Sequence, residues 1–150
     1  MKEPQKVPII AGGILERDDK FLLVNAKVGI PKGLWNNPGG RTDEGETVEE
    51  AASREVKEET GFDTEIEGLV GIYHRLKHGA IVRIQFKMKI IGGELDLPKD
   101  EIEEAKWFSL EEIKQMDDSK FAWGTKEAIF DYIERGSKKQ KQYSTKRDII

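Results

Sequence analysis

The chain has 150 residues, 36% of them charged, and a formal net charge of −4. That length suits one domain with a core of its own, and the lack of any cysteine excludes disulfides, thiolate zinc sites and cysteine nucleophiles together. The mild acidity argues against broad binding of nucleic acid, although a polyanionic substrate held through cations would tolerate it.

From the N-terminus, MKEPQKVPIIAGGILERDDK lacks the long apolar stretch of a signal peptide, and no apolar run is long enough to span a bilayer. A soluble, cytoplasmic protein with no membrane partner is expected. Val7 to Leu15 is apolar and reads as a strand. Asp18-Asp19 is a turn signal, and Lys20 to Val24 (KFLLV) is a second β-rich run. Ala26 to Gly40 (AKVGIPKGLWNNPGG) reads as a loop, because its prolines and glycines forbid a regular element. A loop of that length inside a compact domain is usually functional.

Thr47 to Thr60 is the clearest helix. Thr47 and Glu50 form a capping box, Gly61 supplies a stop, and Val48, Ala52 and Val56 make the buried stripe. Glu67 to Arg75 and Ala80 to Ile91 read as a hairpin turning at His78-Gly79. In the second strand Ile81, Arg83, Gln85, Lys87 and Lys89 share one face and Val82, Ile84, Phe86, Met88 and Ile90 the other, the alternation of a half-buried strand. Lys106 to Phe108 is one more short strand. Ser109 caps a helix with Glu112 at its third position, and a final helix runs from Gly124 to Glu134. The stretch Lys138 to Arg147 is basic and polar and reads as a solvated tail. Residues 1–136 are therefore taken as the domain and 137–150 as the tail. The element order implies an α/β fold, a mixed sheet with helices on both faces.

Chemistry concentrates on the Thr47 to Thr60 helix. Glu55, Glu58 and Glu59 stand at i, i+3 and i+4, on one face, where like charges repel. A solvated glutamate-rich face would explain that spacing, and so would a face that holds cations. Oxygen ligands without His or Cys favour a hard ion, Mg²⁺ or Mn²⁺. The flanks add weight to the cation reading, because Pro38-Gly39-Gly40 ahead of the helix lets backbone oxygens and amides approach a ligand closely.

The run Gly40 to Phe62, GRTDEGETVEEAASREVKEETGF, resembles the Nudix box, G-x5-E-x7-R-E-U-x-E-E-x-G-U with U a bulky apolar residue. Every fixed position is present: Gly40, Glu46, Arg54, Glu55, Val56, Glu58, Glu59, Gly61 and Phe62. The approach GLWNNPGG and the late segment EIEEAKWFSLEEI also resemble the family's layout, so the likeness extends from Val7 to Glu134. It implies a Nudix-type α/β/α sandwich with a mixed β-sheet. It also implies a pyrophosphohydrolase, an acid anhydride hydrolase dependent on Mg²⁺ (or Mn²⁺). By the resemblance Glu55 and Glu59 are metal ligands, Glu58 is a further ligand or the base that activates water, and the Gly39 carbonyl is an additional ligand. Arg54 would hold a carboxylate in place, and Glu46 would orient a neighbour. Among Glu101, Glu103 and Glu104, Glu101 is chosen as the late catalytic carboxylate that many members use.

Arg41 and Arg83 are candidates for phosphate contacts. Trp35 is a candidate for stacking on a base, or else an anchor for its loop. Substrate choice is set by the loops around the box. The proline that ADP-ribose enzymes of the family often carry falls at Lys77, the tyrosine of dinucleoside polyphosphate enzymes falls at Gly79, and the upstream coenzyme A signature is missing. GLWNNPGG resembles the branch acting on nucleoside triphosphates or small pyrophosphates. The expected partner is a small nucleotide or pyrophosphate. A nucleotide-sensing binding module and an RNA 5′-end pyrophosphohydrolase aided by the basic tail are the alternatives, and a homodimer is left open.

Overall fold

The structure is a computed structural model and describes residues 2–138. Of the basic stretch Lys138 to Arg147, only Lys138 falls within them; the rest of that expectation lies outside the described residues. In chain order the elements are β1 (Ile9–Arg17), β2 (Lys20–Ala26), β3 (Trp35–Asn36), β4 (Gly39–Arg41), α1 (Val48–Thr60), β5 (Phe62–Arg75), β6 (Ile81–Gly93), β7 (Ile102–Ser109), α2 (Leu110–Gln115) and α3 (Thr125–Arg135). No helix among the described residues is long and apolar enough to cross a membrane.

Seven strands form one mixed sheet, ordered β3-β2-β1-β6-β5, with β4 paired to β1 and β7 to β2. β1 and β6 run parallel from Ile9↔Val82 to Leu15↔Met88, and the other strand pairs are antiparallel. The two-residue period of a strand sends successive side chains to opposite faces. Ala11 and Leu15 of β1 and Leu22 of β2 therefore join Ala51, Ala52 and Val56 of α1 in one core. Ile14, Phe21 and Leu23 join Ile113 of α2 and Ala128 and Ile129 of α3 in the other. Each large apolar side chain so buried contributes about 1.5–3 kcal/mol. The result is the expected α/β/α sandwich.

Local signals formed as read in several places. Thr47 accepts from the Glu50 amide while Glu50 reaches back to the Thr47 amide, a complete capping box. Gly61 ends α1 with a left-handed φ of 85°. A Cβ there would also stand 2.2 Å from the Glu94 carbonyl oxygen, so only glycine meets both demands. His78 and Gly79 both take positive φ at the hairpin turn.

The structure corrects other expectations. The presumed loop from Ala26 to Gly40 contains β3 and β4. Trp35 and Asn36 pair with Asn25 and Val24. Gly39 to Arg41 lies along β1, so close that a Cβ on Gly12 would stand 2.2 Å from the Pro38 carbonyl oxygen. Glycine permits this pairing instead of preventing it. β5 begins at Phe62, directly after α1 and ahead of the expected start at Glu67; its first half alternates, with Phe62, Thr64, Ile66 and Gly68 covered and Asp63, Glu65 and Glu67 exposed. The polar face of β6 is more covered than a half-buried strand suggests: Arg83, Gln85 and Lys87 are buried, and Lys89 is exposed. Finally, Lys138 exchanges both backbone hydrogen bonds with Leu69 (2.9 and 3.0 Å), so the chain is still paired to β5 beyond Gly136.

Candidate active site

The Pro38-Gly39-Gly40 turn and α1 meet at the carboxylates. Glu55 stands over Gly40 so closely that a Cβ there would lie 2.3 Å from Glu55 Oε2. One turn further along, Glu59 Oε2 accepts from the Gly39 amide at 3.4 Å. The glycine pair thus supplies room for one carboxylate and a backbone donor for the next.

Arg54 organises the remainder. Its Nε and Nη2 grip Glu46 at 2.9 and 2.7 Å, a two-pronged contact that fixes the guanidinium plane. Nη1 donates to Glu55 Oε1 at 2.9 Å and to Glu58 Oε2 at 3.2 Å. Nη2 also donates to the Arg41 carbonyl at 3.0 Å and lies 3.3 Å from Asp43. The Glu46 hydrogen bond foremost, and the contacts to Glu55 and Glu58 after it, hold the guanidinium proton above its ordinary affinity. The expected positioning role for Arg54 therefore has a geometric basis, and Glu46 is its main partner.

Burial pushes the Glu59 carboxyl up to about 8; the Gly39 amide opposes this, while the charges of Glu55, Glu101 and Glu58 add to it. Glu55 is also raised by burial, against the pull of Arg54. A partly buried carboxylate among like charges is costly to ionise unless a cation joins it. Glu101 is exposed, its carbonyl accepts from the Lys27 amide at 2.7 Å, and its charge acts on Glu59, which sets it on the same side of the molecule.

Among the described residues no three acidic or histidine side chains already converge as a metal cage. Glu55 and Glu58 both lean on Arg54, so holding a cation requires these carboxylates to turn from the guanidinium. The donor chemistry nevertheless fits a hard divalent ion: three carboxylates and the backbone of the glycine turn, with no nitrogen or sulfur. A cavity of about 690 Å³ adjoins Glu58, between Lys57, Gly61 and the loop 94–98.

The remaining candidates are dispersed. Arg41 is exposed beside Arg54. Arg83 is buried, donates to the Trp123 carbonyl and to Asn36 Oδ1 (2.8 Å), and is lowered to about 10 by that burial. Trp35 packs edge-on against Phe108 at 4.8 Å, and its carbonyl accepts from the Ala122 amide, an anchoring arrangement. Sequence reasoning passed over Trp123, which lies in the loop before α3 and carried no motif to single it out.

With this geometry in place, likeness to known proteins is informative. Residues 6–130 match the family model described as NUDIX domain. The chain is 38% identical over 128 residues to the ADP-ribose pyrophosphatase of Methanocaldococcus jannaschii, covering 83% of this chain and 72% of that protein. It is 38% identical over 96 residues to the putative 8-oxo-dGTP diphosphatase of Bacillus subtilis, covering 64% of this chain and 62% of that one. A NUDIX hydrolase structure from Nitrosomonas europaea superposes with a TM-score of 0.75 at 31% identity, covering 88% of this chain and 92% of its own. The chain belongs to the Nudix hydrolase family, and it is a pyrophosphohydrolase.

Proposed function

We propose that this enzyme hydrolyses the diphosphate linkage of nucleoside diphosphate derivatives, with Mg²⁺ (or Mn²⁺) held by Glu55, Glu58, Glu59 and the Gly39 carbonyl. The observation that carries the reading is the fit of Glu55 against Gly40 and of Glu59 against the Gly39 amide, which gathers carboxylates and backbone on one side of α1. When bound, the cation neutralises phosphate charge and acidifies a water. Arg54 keeps Glu55 and Glu58 in reach between turnovers. Glu58 or Glu101 takes the proton of the attacking water, and exposed Arg41 meets a phosphate oxygen.

ADP-ribose is the first substrate to test, on the strength of the archaeal relative's name and its 72% coverage. Lys77, at the place of the usual ADP-ribose proline, speaks against it. The second reading, nucleoside triphosphates, is favoured by GLWNNPGG and by the name of the Bacillus relative. The test is product release from ADP-ribose, nucleoside triphosphates, diadenosine polyphosphates, thiamine-related pyrophosphates and triphosphorylated RNA, with Mg²⁺, Mn²⁺ or EDTA. Turnover of ADP-ribose that EDTA abolishes is the expected result. Glu58→Gln and Glu59→Gln should each lower turnover by roughly 10²–10⁴-fold while leaving the fold intact. Near-normal rates in both variants would overturn the assignment, and tight binding without turnover would favour a sensor.

A further inference from the structure

The Arg83 guanidinium is an unusual thing to bury. The residue is 4% exposed, and its hydrogen bonds among the described residues run to neutral oxygens, the Trp123 carbonyl and Asn36 Oδ1 at 2.8 Å. Its Nε is buried as well and finds no partner among them. A buried cation without a paired anion is costly, and an apolar side chain of similar volume would fill the space without that cost. What an apolar side chain lacks is the planar fork, which reaches two acceptors in fixed directions.

The acceptor on β3 leads to the glycine turn. Asn36 Oδ1 accepts from Arg83 and also from Thr125 Oγ1 at 2.9 Å. Asn37 comes next, is 1% exposed, and donates through Nδ2 to the Thr125 carbonyl at 3.4 Å. Pro38 follows, and its carbonyl accepts from the Gly13 amide at 3.0 Å. Gly39 then pairs with Gly12 and donates to Glu59 Oε2. From Asn36 to Gly39 each residue is held, and the first hold is the Arg83 fork. The loop before α3, which supplies the Trp123 carbonyl, gives that fork its second fixed point.

We infer that Arg83 is a positioning residue: by fixing Asn36 it sets where the Asn37-Pro38-Gly39 run delivers the Gly39 backbone to the carboxylates and their cation. The inference rests on the metal reading above. It gives Arg83 a task other than the phosphate contact expected from sequence, since the guanidinium acts through Asn36 and touches neither cation nor substrate.

The test measures Mn²⁺ dissociation constants, by electron paramagnetic resonance of the free ion, on the full chain as wild type, Arg83→Met, Arg83→Lys, Asn36→Ala and the double variant Arg83→Met with Asn36→Ala. Arg83→Met should weaken Mn²⁺ binding by about 10–100-fold. Asn36→Ala, which leaves the Trp123 carbonyl contact in place, should do the same. The double variant should be no weaker than the weaker single, because both changes remove one link. Arg83→Lys keeps a donor for Asn36 and should recover part of the loss. Binding is measured below each variant's melting transition, followed by circular dichroism. A lowered melting temperature with wild-type Mn²⁺ affinity would make Arg83 a stabiliser of the fold alone and overturns the inference. Methylenediphosphonate should bind the Mn²⁺-saturated proteins equally well. Weakened methylenediphosphonate binding at wild-type Mn²⁺ affinity would make Arg83 a phosphate contact, and additive losses in the double variant would give it a route that bypasses Asn36; either result overturns the inference. If Arg83→Met does not fold, Asn36→Ala decides the matter by the same Mn²⁺ measurement. A wild type that takes up no Mn²⁺ overturns the metal reading itself, and the inference falls with it.

Discussion

Glu59 stands half-buried against the glycine turn, and its carboxyl is raised from an ordinary 4.5 to about 8, mainly by burial. Below about pH 4.5 the group is protonated in the folded and unfolded chain alike and contributes nothing to the difference. As pH rises, the unfolded chain ionises first, so Glu59 subtracts stability increasingly until the folded group has also ionised near pH 8. A divalent cation removes that cost by favouring the carboxylate. The metal-free wild type should therefore lose melting temperature between pH 5 and 8.5 relative to Glu59→Gln, and Mg²⁺ should stabilise the wild type more at the upper end. Thermal melts of both proteins across that range, with and without Mg²⁺, check this; parallel curves would refute it. At this scale the carboxylates were legible, because they belong to a run of fixed local spacings. The burial of Arg83 was not. A polar residue in an alternating strand looks solvent-facing until the chain that covers it is known.

The contact between β4 and α1 decides whether the carboxylates line up. Gly40 has no positive φ, so alanine is acceptable to its backbone, but a Cβ there would stand 2.3 Å from Glu55 Oε2. The atom displaced is the far end of a flexible side chain. Gly40→Ala should therefore fold normally yet shift Glu55, lowering kcat by about 10²-fold and raising the Mg²⁺ needed for half-maximal rate. Circular dichroism with a metal titration of the rate would show this, and a wild-type kcat would remove Gly40 from the site. Elements were legible in proportion to how local their causes are. α1 announces itself through Thr47, Glu50 and Gly61, which interact within the helix and its caps. β3 and β4 owe their existence to Val24, Asn25 and β1, partners that a reading along the chain does not bring together. The first half of β5 carried its own local signal, the alternation of Phe62, Thr64 and Ile66 with Asp63, Glu65 and Glu67, and was passed over.

Taken as a whole molecule, the sheet ends on β5, and an edge strand presents unpaired amides and carbonyls. Lys138 covers part of that edge by exchanging two backbone hydrogen bonds with Leu69. The approach is tight: a Cβ on Gly68 would stand 2.5 Å from the Lys138 carbonyl oxygen. The sequence suggested a boundary after Gly136 on the strength of composition, since a basic, polar run has no reason to bury itself. Backbone pairing is blind to composition, and here it extends past that boundary. Each hydrogen bond contributes about 0.5–1.5 kcal/mol net, so a chain ending at Gly136 should be less stable than one ending at Lys138 by about 1–3 kcal/mol. In a domain of this size that corresponds to a melting temperature lower by roughly 2–12 °C. The cost should fall on stability and not on catalysis, because the pairing of Leu69 and Lys138 is between backbone groups. Melting the two truncated chains side by side, with kcat measured on each well below the transition, distinguishes the cases. Identical melting temperatures would show that the Leu69 pairing contributes nothing. A drop in kcat at unchanged stability would mean instead that the β5 edge communicates with α1.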